Sequence, residues 1–163
     1  MKTNLKKQGK QELAKGDIQY LMQVFRSIRD FRELSVEGKM AIVDNSITLG
    51  DVDMRINQSF DKHLEALRTE EFISDTAKAA GLRAKEKESL TEEETIFLAD
   101  YAMSEARINQ EYTEVVTATL NETVLVEIKT ISEADYRRIL SAKGNEEITP
   151  FGFATLKKFV VES

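Results

Sequence analysis

A single proline, Pro150, interrupts this chain of 163 residues, and only seven glycines accompany it. Proline fixes φ and lacks the N–H that a helix or sheet needs, and glycine supplies the backbone freedom of tight turns. A chain so poor in both has few forced turns. It is suited to long helices and ill suited to a sheet with many hairpins. Apolar residues make up 41% and charged residues 32%, the balance of a folded chain with a heavily charged surface. At this length a hydrophobic core forms without metal or disulfide staples.

Helix boundaries can be read along the chain. Residues 1–16 read as a flexible basic segment, with Leu5 and Leu13 as its strong apolar residues and Gly9 between them. Residues 17–163 read as one helical domain. Asp17 is placed to cap a helix over 18–34, whose apolar face is Ile18, Leu21, Met22, Phe25 and Ile28. Ser35 caps a second, about 36–48, with Val36, Met40, Val43 and Ile47 as its stripe. Gly50 reads as a stop and Asp51 as a fresh cap for a helix over 52–68, with Ile56, Phe60, Leu64 and Leu67 inward. Thr69 caps a continuation ended by Gly81, and 81–90 reads as an exposed loop.

Thr91 and Glu94 form a capping box, the clearest start signal in the chain. A long helix should follow, carrying Phe97, Tyr101, Ile108, Tyr112 and Val115 with Ala99, Ala102 and Ala106 beside them. Residues 112–131 fit either its continuation or, being rich in Val and Thr, a hairpin. Ser132 caps a helix over 133–142, and the Thr149–Pro150 pair opens a docked last helix over 150–161, with Phe151, Leu156, Phe159 and Val160 packed. The expected fold is therefore all-α: a compact bundle of five to seven helices with one long helix near 92–131. The alternative is α+β, with a hairpin near 112–130.

Composition also narrows the chemistry. There is no cysteine, so disulfides, thiolate metal sites and a Cys nucleophile are excluded. His63 is the sole histidine and has no partners at triad or metal spacing. Glu111 and Glu114 stand three apart, as a solvated acidic face does. No P-loop or dinucleotide fingerprint is present. No catalytic residue, cofactor site or metal site is assigned. The basic start has no apolar core of a secretory signal, and no apolar run has the length of a membrane span; a cytoplasmic location is the expectation.

The formal net charge is -6 and unevenly spread. Residues 1–34 carry eight Lys/Arg against four Asp/Glu, and the remainder carries fifteen against twenty-five. Three functions rank in order. First is a non-catalytic helical interaction protein, self-associating through Phe97, Tyr101, Ile108, Tyr112 and Val115, whose partner is a second copy or another protein. Second is a nucleic-acid-associated regulator that contacts phosphate through Lys6, Lys7, Lys10, Lys15, Arg26, Arg29 and Arg32. Helices 36–48 and 52–67 have helix-turn-helix spacing, but the second opens with two acids, which count against it. Third is an enzyme whose dispersed site is not visible in sequence.

Overall fold

The computed structural model describes residues 9–162. Of the described residues 74% are helical. Among the described residues there are six α-helices and one two-stranded sheet, in the order β1 (Lys10–Ala14), α1 (Lys15–Ser27), α2 (Val36–Leu67), α3 (Glu70–Arg83), α4 (Glu92–Asn121), β2 (Thr123–Glu127), α5 (Glu133–Ser141) and α6 (Pro150–Phe159). The expected helical class is met, as is the expected long helix, α4, at 30 residues. The contacts divide the chain into two units, residues 9–56 with 120–162, and residues 57–119. Helices α2 and α4 each run through both.

The first unit holds the main core. Leu13, Ile18, Leu21, Leu49, Ile128, Ile131, Ile139, Leu156 and Val160 are almost wholly buried there. The α1 face foreseen from periodicity is the one that faces inward, with Ile18, Leu21, Met22, Phe25 and Ile28 all buried. The start of that helix differs from expectation. It begins at Lys15, two residues before Asp17, because β1 leads straight into it and Ala14, with no side-chain cap, precedes its first turn. Lys15 N–H bonds to Glu122 O, and its ammonium meets the Glu122 carboxylate at 2.5 Å.

Residues 10–14 form a strand, and Lys15 and Gly16 open α1. Lys10–Ala14 pairs antiparallel with Thr123–Glu127, setting Lys10 opposite Glu127 and Leu13 opposite Val124. Leu13 is only 1% exposed. Gly9, with φ +71°, turns the chain into the strand in a conformation that L side chains rarely adopt, and its carbonyl accepts from Ile128 N–H at 2.7 Å. Leu5, Lys6 and Lys7 lie outside the described residues.

The same pairing answers the ambiguity at 112–131. Neither expectation holds in full: α4 ends at Asn121, and β2 follows with its alternate residue Val126 buried. The strand partner comes from the start of the chain, not from a local hairpin. Valine and threonine favour the pleated surface once such a partner is supplied.

The helix expected over 18–34 stops at Ser27. The buried Asn145 side chain holds the connection that follows. Its Oδ1 accepts from Arg29 N–H at 2.9 Å and Asp30 N–H at 3.0 Å, and its Nδ2 donates to Ile139 O at 3.0 Å. These bonds replace helical ones for backbone that would otherwise be unpaired.

The break expected at Gly50 is absent, and α2 passes through it for 32 residues. A mid-helix glycine costs only about 1 kcal/mol, and the burial of Leu49 and Ile56 on either side outweighs it. The Gly81 stop is absent too, since α3 continues to Arg83. A Cβ added at Gly50 would meet only Met22 Cε at 3.7 Å, and one at Gly81 would meet nothing. Replacing either by Ala should raise stability by about 0.5–1 kcal/mol in a denaturant titration. Gly38→Ala should lower it, because a Cβ there overlaps the Asp135 carboxylate.

Besides the Ser35 cap of α2, four caps foreseen in the sequence form. Thr69 accepts from Phe72 N–H, Ser132 from Asp135 N–H and Thr149 from Gly152 N–H. Thr91 and Glu94 exchange both bonds of the capping box, at 2.9 and 3.1 Å. Phe151, expected inside, is 69% exposed at the first turn of α6.

The second unit is built from residues 57–67 of α2, all of α3 and most of α4. Tyr101 anchors it, stacked on Phe72 at 5.3 Å and donating its hydroxyl to Thr76 at 3.0 Å. The Lys78 ammonium sits 4.0 Å from the Phe97 ring centre, and Lys85 meets Glu94 at 2.6 Å.

Candidate protein interface

Helix α2 in the first unit has two apolar stripes, and only one is core. Ala41, Ile42, Leu49 and Ile56 are buried, with Asn45 between them at 0% exposure. Asn45 acts as an extra strand residue: its Nδ2 donates to Lys129 O and its Oδ1 accepts from Lys129 N–H, both at 2.8 Å. Ser35 caps the helix. Its hydroxyl accepts from Gly38 N–H at 3.0 Å and donates to Asp135 Oδ2 at 2.5 Å. This fixes the rotation of the helix and hence which stripe turns outward.

The outward stripe contains the one foreseen from periodicity, Val36, Met40, Val43 and Ile47, together with Met54. Val36 is 68% exposed, Met40 60%, Val43 56%, Ile47 62% and Met54 52%. With Gly50 these positions step by four and three residues in strict alternation. That is the heptad spacing of a coiled-coil seam, which keeps one face toward a partner helix. The sequence supports either stripe as core. Asn45, Asp53 and Gly38 make the truly buried face look polar, which is why periodicity selects the other.

Charges flank the seam unequally. Glu37, Asp44 and Asp51, all exposed, form a row on one side at seven-residue spacing. On the other side stand Lys39, whose ammonium bonds Arg32 O at 3.2 Å, then Ser46, then the buried Asp53, which pairs with the exposed Arg26 at 3.0 Å. A hollow of about 280 Å³ opens beside Ile47, lined also by Asp44, Thr48, Glu127 and Lys129. Within it a hydrogen bond from Lys129 at 2.7 Å holds the Glu127 carboxyl below the usual carboxylate range. The same bond, with Asp44 contributing attraction, raises the Lys129 ammonium. Leu125, 64% exposed, shares the outer side of β2 with Glu127.

The stripe foreseen on the long helix lies differently. Tyr101 and Ile108 are buried within the second unit, and Phe97, Tyr112 and Val115 are half-buried. Tyr101 and Ile108 help to line a cleft of about 430 Å³ with Phe72, Ile73, Thr76 and Glu105. Glu105 faces Arg83 at 3.5 Å there.

The foreseen basic residues are not brought together as free cations. Arg26 pairs with Asp53, Arg29 with Glu147 at 2.9 Å and Arg32 with Asp30 at 2.9 Å. Lys15 pairs with Glu122, and Lys10 is exposed on β1. Arg29 and Arg32 lie beyond the end of α1, so the three arginines do not share one helix. His63 is half-buried, and its Nε2 has no hydrogen-bond partner among the described residues. Glu111 and Glu114 are exposed. Among the described residues no three His, Asp or Glu side chains group as metal ligands, and no helix is long and apolar enough to cross a membrane.

No protein-family model, curated protein or solved structure matches this chain. The fold and its exposed seam define a mostly helical chain that presents an uncovered apolar helix face.

Proposed function

We propose that this chain is a helical interaction module that docks an α-helix of another protein along the outer face of α2. The carrying observation is the exposed seam of Val36, Met40, Val43, Ile47 and Met54 on a helix whose opposite face is already core. Five large apolar side chains lie in one line along about 27 Å of helix, interrupted at Gly50, unlike the scattered exposed apolar residues of an ordinary surface. Covering each would contribute about 1–2 kcal/mol, from which the loss of translational freedom is subtracted. Helix-in-groove recognition reads anchors at this spacing.

Self-association, foreseen through Phe97, Tyr101, Ile108, Tyr112 and Val115, would have to re-expose Tyr101 and Ile108 from the second unit. The α2 seam needs no such rearrangement, and it is the surface on which the reading rests.

A synthetic three-heptad helical peptide, with leucine at seam positions and glutamine on its flanks, tests the proposal. Methyl resonances of Val36, Met40, Val43, Ile47 and Met54 should shift in a saturable way on titration, while those of Leu21 and Leu156 in the core should not. Shifts confined to other residues, or none, would overturn it.

A further inference from the structure

The acidic row beside the seam points to the chemistry of the occupant. We infer, resting on the docking reading above, that the partner helix is basic: it carries Lys or Arg along the flank that faces Glu37, Asp44 and Asp51. In helix pairing the residues beside the seam set partner choice and orientation through ion pairs. Here three carboxylates repeat every seven residues on one side, so they meet the same flank of a partner turn after turn. All three are exposed, and none takes part in a salt bridge among the described residues. Lys129, which lines the hollow beside Ile47 with Asp44 and is attracted by it, is bonded to Glu127 at 2.7 Å.

A second copy of this chain is a poorer occupant on the same grounds. Two copies running antiparallel set acidic row against acidic row, and like charges across a seam oppose pairing. Two copies running parallel set the acids against Lys39, Ser46 and Asp53. That offers one cation, already hydrogen-bonded to Arg32 O, and one buried carboxylate paired with Arg26. Gly50, at a seam position, also gives a second copy no side chain to insert at that level. A partner with a basic flank and a large apolar residue opposite Gly50 meets neither difficulty.

The test uses the whole chain and three synthetic helical peptides of identical leucine seam, with flanks of lysine, glutamine or glutamate, titrated calorimetrically. At about 0.02 M salt the lysine peptide should bind at least about tenfold more tightly than the glutamate peptide, and the gap should shrink at about 0.5 M. The exposed triple variant Glu37→Gln, Asp44→Asn, Asp51→Asn should lose the preference for the lysine peptide over the glutamate peptide. Equal binding of all three peptides would overturn the basic-partner inference and leave the docking reading standing. Binding of none would remove both. Sedimentation of the unmodified chain showing a concentration-dependent dimer that the triple variant strengthens would make a second copy the occupant and overturn the inference.

Discussion

Asp135→Ala should destabilise the first unit by about 3 kcal/mol or more, among the larger effects of a single substitution. Asp135 is 2% exposed and accepts from Ser35 N–H at 2.9 Å, Ser35 Oγ at 2.5 Å and Arg138 at 3.0 Å. Removing the carboxylate leaves the Ser35 donors and Arg138 without their acceptor and loosens the cap of α2. Burial pushes the Asp135 carboxyl up, but the Ser35 hydroxyl and N–H, with Arg138 and Ser132, more than reverse this. Its folded pKa is therefore depressed. The stability it contributes is present above the unfolded value of about 4 and is lost as pH falls through the lower folded value. Thermal melting from neutral pH down to about pH 3 should show the gap between wild type and Asp135→Ala closing as acid is added. A gap independent of pH, or no gap at neutral pH, would contradict the role given to this carboxylate. Gly38→Ala and Asp135→Ala should also be non-additive, since the added Cβ enters space that the carboxylate occupies.

Leu13→Ala should cost about 3 kcal/mol, the range for truncating a fully buried leucine. Deleting residues 1–14 should do more and abolish cooperative unfolding of the first unit. That deletion removes both Leu13 and the strand that covers one edge of β2. Chemical denaturation followed by circular dichroism would decide the matter. Near-wild-type stability of the deletion would mean that β1 is dispensable, as its sequence suggests.

That suggestion shows where the fold was legible and where it was not. Caps at Thr69, Thr91, Ser132 and Thr149 were readable because each is a local bond within three residues. The inward face of α1 was readable because its apolar residues form one stripe. Strand β1 was not, since its partner lies more than a hundred residues away and KQELA has no strand-like alternation of large apolar residues. The passage of α2 through Gly50 was not readable either, because packing of Leu49 and Ile56 overrides a local helix breaker. The candidate interface was visible as a stripe, but nothing in its spacing showed that it faces outward. Helix periodicity identifies an apolar face without saying what covers it. The buried amide of Asn45 and the small Gly38 and Ala41 disguised the face that the core uses. On α4 the reverse happened: Tyr101 and Ile108 read as a surface and are buried within the second unit.

The most direct measurement is made on the double variant Val43→Gln, Ile47→Gln. Both side chains are more than half exposed, so melting should change by less than about 1 kcal/mol, while calorimetric binding of the glutamine-flanked leucine peptide should be abolished. A large loss of stability would place these residues in a core, and unchanged peptide binding would place docking elsewhere; either result would contradict the account of α2 as an interaction face.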